Sequence, residues 1–324
     1  MIYNKDKILL TGTSCFIGFH LILKLLKKNY KVYSVISKPL NQYKGIQKTR
    51  IDLLKKKKIK FLLLDLNDFT KVKKTISKIK PNTIIHLAAN TSGLKINKFN
   101  LAKSISKNIL YVENIFNSLD YMNKTNIIIA SSNAEYKNIE GKEFENTSCQ
   151  PPFNAYGLSK LGSTMRALQL SEQKKIKTVI IRIFNPIGSH DSEKKILSQV
   201  IKSIKLNKEI KLSPCIQKRD FIYIDRLVDG FTKTLVYLNK MQETSLIMNL
   251  CYGKPVKLKL ILDRVCKLMG KNKKLLIYNY YKLRPEEPII NYGCNKKAIK
   301  LLNWNTGNIF KDIIKWIKKE KNEI

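Results

Sequence analysis

The sequence predicts an α/β protein, a doubly wound parallel sheet followed by a smaller C-terminal domain. Three observations carry this. Short apolar runs alternate with helix-length amphipathic stretches through the first 184 residues. Two of those runs, Ile127–Ala130 and Val179–Ile181, are continuously apolar, as strands covered on both faces must be. Beyond Asn185 the alternation stops, and Pro186, Pro214, Pro255, Pro285 and Pro288 punctuate shorter elements. Parallel strands joined through helices require right-handed crossovers and a layered sheet.

Taken in order, Lys7–Thr11 reads as the first strand and Gly18–Lys28 as the first helix, with Leu21 and Leu25 on its apolar face. Asn29 then suits the left-handed position that ends a helix. Further strands are expected at Val32–Ile36, Lys60–Leu64, Thr83–Leu87, Asn126–Ser131 and Thr178–Phe184. The expected division is residues 1–184 as a Rossmann-like, nucleotide-binding domain and 185–324 as mainly substrate-binding, with some segments returning to the first.

Composition narrows the function classes. The chain of 324 residues is 44% hydrophobic and carries a formal charge of +38. Of 62 basic residues only seven are Arg, and the Lys residues are spread along the whole chain. Nucleic-acid recognition favours the bidentate Arg fork and a concentrated patch, so no nucleic-acid partner is expected. No apolar run reaches the roughly 20 residues of a membrane-spanning helix, and Met1–Lys7 leads straight into Ile8-Leu9-Leu10 with no leader pattern. The reading is cytoplasmic. Six Cys (15, 149, 215, 251, 266, 294) and three His (20, 86, 190) show neither zinc spacing nor a disulfide framework; no metal is expected.

The chemistry starts at Thr11-Gly12-Thr-Ser-Cys15-Phe16-Ile17-Gly18, between the first strand and helix. Glycines there allow a tight turn and close approach of backbone to a pyrophosphate, and the helix N-terminus offers free N–H groups. The middle position is Cys15, not Gly. Tyr156 and Lys160, four residues apart, share one face of a helix. A neighbouring ammonium, together with the positive charge of an oxidised nicotinamide, favours the phenolate and is expected to lower the Tyr156 pKa.

Later segments match stations of one family in order: Asp65-Leu66-Asn67-Asp68, His86-Leu87-Ala88-Ala89, Asn108, Ser131-Ser132, Tyr156 to Lys160, Arg182 to Gly188, Lys218 to Asp225, Arg284 to Glu287, and Leu302 to Trp304. Over almost its whole length the chain resembles the extended short-chain dehydrogenase/reductase family, the nucleotide-sugar epimerase/dehydratase group. The segment Leu212–Asp225 is similar to that of nucleotide-sugar 4-ketoreductases related to CDP-abequose synthase. The resemblance implies a catalytic set of Ser132, Tyr156 and Lys160. It places the cofactor against Thr11, Gly12, Cys15, Phe16, Ile17, Gly18, Asp65, Leu66, Leu87, Ala88, Ala89, Tyr156 and Lys160, with Asn108 supporting the active-site backbone. It assigns Asn185, Arg219, Arg284 and Glu287 to a nucleotide-sugar substrate, and it implies a homodimer.

The second strand ends Ile36-Ser37-Lys38 without the carboxylate that binds the ribose 2′-hydroxyl of NAD. Ser37 and Lys38 suit a 2′-phosphate instead, so NADP is preferred over NAD. Where 4,6-dehydratases of the family show Thr-Asp-Glu, this chain has Ser132-Asn133-Ala134, which argues against dehydration. Reduction of a 4-keto-6-deoxy sugar is preferred over 4-epimerisation. A cofactor-binding protein without turnover is the third reading, motivated by Cys15, Cys251 and Cys294 at positions where the family commonly has Gly, Gly and Asp; Cys15 is expected to crowd the pyrophosphate or to demand an awkward backbone angle.

Overall fold

A computed structural model describes residues 6–90, 100–119, 124–137, 140–146, 152, 154–283 and 288–322. The first half runs β1 (Lys7–Thr11), α1 (Phe16–Lys27), β2 (Lys31–Ile36), α2 (Gly45–Lys55), β3 (Lys60–Leu63), α3 (Phe69–Ile79), β4 (Thr83–His86), α4 (Leu101–Asn117), β5 (Asn126–Ser132), β6 (Gly141–Glu143), α5 (Ala155–Lys174) and β7 (Thr178–Ile183). Then come β8 (Pro186–Ile187), α6 (Ile196–Lys205), β9 (Ile210–Lys211), β10 (Lys218–Arg219), β11 (Ile222–Tyr223), α7 (Ile224–Leu238) and β12 (Ser245–Leu250). The chain closes with β13 (Val256–Lys257), α8 (Leu258–Leu268), β14 (Leu276–Ile277), β15 (Ile290–Gly293), α9 (Lys296–Leu302) and α10 (Ile309–Asn322).

Seven strands form one parallel sheet in the order β12-β7-β5-β4-β1-β2-β3. It is covered on both faces because its strands are apolar at alternate and intervening positions alike. Ile8, Leu10, Ile85, Ile128, Val179 and Ile181 face Phe19, Leu21, Leu25 and Phe231 from α1 and α7. Leu9, Ile84, Ile127, Ile129 and Ile180 face the other way, onto Val72, Val112, Ile115, Phe116 and Leu170 from α3, α4 and α5. The fold is the Rossmann-like doubly wound one, and the strand order reverses between β1 and β4, where such sheets open a crevice at their carboxyl ends.

Strand bounds depart from the sequence reading by a residue at most at either end. Helix α1 starts two residues earlier than periodicity indicates, because Cys15 already has the extended backbone of an N-cap (φ −74°, ψ 163°). Asn29 does take the left-handed position, at φ 61°. A second, four-stranded sheet, β13-β10-β15-β6, recruits Gly141–Glu143 from the first half, while the second half returns β12 to the main sheet beside β7. The chain therefore crosses the 184/185 division in both directions. Among the described residues no helix is long and apolar enough to cross a membrane.

Ile181 is wholly buried on the face shared by α1 and α7. Its replacement by Ala is expected to cost about 2–5 kcal/mol, measured as a lower urea midpoint with an unchanged slope.

Candidate active site

The turn after β1 is shaped by steric limits at two glycines. Gly12 has φ +79°, and a Cβ there would lie 2.9 Å from the Ala88 nitrogen. A Cβ on Gly18 would sit 2.3 Å from the Gly12 carbonyl oxygen, so α1 presses directly onto the turn. The Gly12 carbonyl accepts from the Cys15 N–H (3.0 Å). The Cys15 side chain folds inward and Sγ accepts from the Gly18 N–H (3.1 Å). Neither an awkward backbone angle nor an outward-pointing thiol results, so the angle concern attached to Cys15 does not hold. Cys251 and Cys294 are buried in the core.

Thr11 sets the next wall. Its Oγ1 accepts from the Leu87 and Ala88 N–H groups (3.2 Å each) and lies 2.9 Å from His86 Nδ1. With both acceptor sites taken, the hydroxyl proton goes to His86. Burial holds that imidazole neutral, its pKa lowered to about 3. Asn108 Oδ1 accepts from the Asn90 N–H (2.7 Å) and its amide donates to Ser159 (2.7 Å). This ties the loop after β4 to α5.

These walls enclose a cavity of about 570 Å³. Thr11, Gly12, Cys15, Phe16 and Ile17 line its middle; Ser37, Asp65 and Leu66 line one end; Leu87, Ala88 and Ala89 line a side. Ser132, Tyr156 and Lys160 meet at the other end, beside Asn185. Two contacts press α5 onto the Ser132 turn. A Cβ on Gly157 would fall 1.8 Å from the Ala134 carbonyl oxygen, and Lys160 Nζ donates to the Ala130 carbonyl (2.8 Å). Ser132 and Tyr156 are hydrogen-bonded to each other. The volume lies within the usual range for small-molecule sites. Its residues also fit a dinucleotide: a helix N-terminus and glycine-bounded turn for the pyrophosphate, and hydrophilic side chains at both ends.

The sequence matches the NAD dependent epimerase/dehydratase family over residues 8–251. The chain belongs to that family. The Methanocaldococcus jannaschii protein MJ1055, itself uncharacterized, is 27% identical over 303 residues, 92% of this chain and 90% of that protein. Human dTDP-D-glucose 4,6-dehydratase is 25% identical over 230 residues, 71% of this chain and 65% of the relative. Among solved structures, the UDP-glucuronic acid 4-epimerase of Bacillus cereus, in complex with UDP-glucuronic acid and NAD, superposes with a TM-score of 0.81. It is 23% identical and covers 98% of this chain and 100% of its own.

Within this family member several sequence expectations need revision. Lys160 is not among the groups that shift Tyr156; burial pushes the phenol up to about 12, and the Ser132 hydrogen bond only moderates that. The ammonium is turned onto Ala130, and burial lowers its own pKa to about 8, partly offset by Glu135. Lys38 does not line the cavity: its Nζ stands 4.7 Å above the Tyr43 ring. Gly18 and Asn108 also lie behind the cavity wall, not on it. Arg219 is outside the lining too, with Nη1 donating to the Lys218 and Ile289 carbonyls (2.9 and 3.4 Å). One amide proton of Asn185 is committed to the Asp220 carbonyl (2.9 Å). Arg284 and Glu287 fall outside the described residues. Among the described residues, no group of His, Cys, Asp or Glu gathers as a metal site.

Sequence reasoning missed Tyr43, Gln47 and Tyr111, and it left Asp191 without a role and Lys195 unnamed; all five line the cavity. The signal for the last two was available, since both follow the Asn185-Pro-Ile-Gly188 station closely. It also missed Arg50, whose guanidinium bonds the Ser14 carbonyl (2.8 Å) and the His190 carbonyl (2.6 and 2.9 Å).

Two outcomes are expected. Gly18→Ala forces α1 off the Gly12 carbonyl and should weaken dinucleotide binding by about tenfold or more, read by calorimetric titration. Lys160, with its pKa lowered to about 8, is charged below that pH and neutral above it. Dinucleotide affinity should therefore fall as pH rises through about 8, and Lys160→Met should flatten that dependence.

Proposed function

We propose that the protein reduces a nucleotide-linked 4-keto-6-deoxy sugar at C4, using NADP(H). The observation that carries this reading is a single cavity joining a phosphate-binding turn to the Ser132–Tyr156–Lys160 set. When bound, the nicotinamide supplies the hydride. Ser132 holds the carbonyl oxygen in line, and Tyr156 gives that oxygen its proton. A phenol kept protonated by burial suits a proton donor, so the raised pKa is consistent with reduction. Lys160 holds the cofactor ribose, and the positive charge of an oxidised nicotinamide would favour the phenolate left behind.

Dehydration needs an acid and a base next to Ser132. Asn133 and Ala134 stand there instead, and the nearest carboxylate in sequence, Glu135, is fully buried and bonded to Arg182 (2.8 Å). The cofactor preference rests on the Ser37 end. No carboxylate closes β2, Ser37 faces the cavity, and the Lys38 ammonium stands beside it over Tyr43. Lys195 lines the same cavity, as do Asn185 and Asp191, and is assigned to the substrate diphosphate. Arg219, Arg284 and Glu287 are assigned to the nucleotide, as the family resemblance implies. A homodimer through the helices bearing Tyr156 and its neighbour α4 would cover Leu158 and Met165, both exposed on α5.

4-Epimerisation is the second reading, because it needs only the same three side chains and a retained NAD. The discriminating assay mixes the protein with NADPH and a panel of nucleotide-linked 4-keto sugars. Stoichiometric loss of NADPH absorbance supports reduction; conversion of ordinary nucleotide sugars without net cofactor consumption supports epimerisation and overturns it. In whichever reaction is seen, Tyr156→Phe should lower kcat by about a hundredfold or more while cofactor affinity stays within about twofold, since only the proton carrier is lost.

A further inference from the structure

We infer that Glu135 is a positioning residue for the Ser132–Tyr156–Lys160 set, its buried carboxylate clamping the turn that carries Ser132 to the helix face that carries Tyr156 and Lys160. The inference rests on the roles proposed for those three side chains.

Glu135 closes a single 3-10 turn, Asn133–Glu135, directly after Ser132. Its side chain is wholly buried and is held from three elements. The Ser131 hydroxyl donates to it from β5, Thr164 Oγ1 donates from α5 (2.6 Å), and Arg182 Nε donates from β7 (2.8 Å). Thr164 lies four residues after Lys160, which lies four after Tyr156. The three therefore form one stripe on α5, and the carboxylate grips that stripe one turn beyond the lysine. Ser131 and Ser132 are adjacent, so the same oxygen that holds the helix also holds the strand end.

A neutral side chain could fill this space without the cost of burying an ion, so the charge calls for an explanation. Arg182 faces Glu135 from β7 and is itself anchored by the Tyr136 ring (4.6 Å) and the Glu145 carbonyl (3.2 Å). Tyr156 and Lys160 face it from α5, and Glu145 lies on the segment after β6. Lys160 in turn acts on His86 from β4, and Cys15 from the phosphate turn acts on Tyr156. Within that group Glu135 is the anion that favours the protonated form of both Tyr156 and Lys160. Both effects have the sign that a proton donor and a ribose-holding ammonium need.

Three variants of the full chain test this, with folding followed by thermal melting and two readouts. The first readout is the pH dependence of dinucleotide binding, which is independent of the sugar. The second is kcat and KM for the sugar that wild type converts. Glu135→Gln should move the alkaline midpoint of dinucleotide binding down by about half a pH unit or more and lower kcat about tenfold. Thr164→Val keeps the ion pair and cuts the clasp to α5; it should lower kcat several-fold with KM and the pH midpoint unmoved. Should Glu135→Gln fail to fold because Arg182 is left unpaired, the double variant Glu135→Gln/Arg182→Gln removes both charges, and the same downward pH shift is expected. An unshifted midpoint in the folded variant, or a Thr164→Val enzyme with wild-type kcat, overturns the inference. A wild type inactive on every sugar offered overturns the reductase and epimerase readings alone, because the binding readout still decides the role of Glu135.

Discussion

The site depends on how strand β5 ends. Its partner β4 stops pairing at Ile129, whereas β7 continues to Ser132. Beyond Ile129 the β5 backbone loses ladder partners on one side, and a buried carbonyl without a donor is costly. Lys160 supplies the donor, reaching from α5 to the Ala130 carbonyl. That bond brings α5 over the strand end, and Gly157 lets the helix come down onto the Ala134 carbonyl. Tyr156 is thereby delivered to Ser132. A requirement of sheet termination and the role proposed for Lys160 thus fall on the same side chain.

The dependence explains what could and could not be read from sequence. Strand and helix order was legible, since burial on both faces demands continuous apolar runs that periodicity detects. The glycines at 12 and 18 were legible because only absent side chains permit the 2.3 Å approach. The direction of the Tyr156 shift was not. It turns on the balance between desolvation and a neighbouring charge, and the orientation of Lys160 decides that balance. The Lys38 position could not be read either: a lysine stem is long enough to stand over Tyr43 or to reach a ligand, and local spacing does not choose. Glu135 left no motif signal, because its meaning lies in Thr164 and Arg182, 29 and 47 residues away.

Charge composition acquires a second meaning in the folded chain. The lysines spread over the surface, and Lys160 is the buried one among the described residues. Arginine is used differently. Arg182 pairs with Glu135 in the core, Arg166 with Glu113 between α5 and α4, and Arg226 with Asp312 between α7 and α10. The family resemblance assigned two of the seven arginines, Arg219 and Arg284, to the substrate. The structure shows that the scarce residue also serves wherever a rigid, planar fork must hold two partners at fixed angles.

Arg50 extends that logic to the relation between cofactor and substrate. It is buried on α2, and its three nitrogens are spent on the Ser14 and His190 carbonyls. Ser14 belongs to the phosphate turn, and His190 is held at φ +60° one residue before Asp191 in the loop that leads to Lys195. One guanidinium thus couples the phosphate turn to the loop that carries Asp191 and Lys195 to the cavity. A lysine has no fork with which to hold both carbonyls at once. Where two bound groups must be set within near-contact distance, a rigid link between two segments of the cavity wall places that tolerance in a residue that does not itself line the cavity.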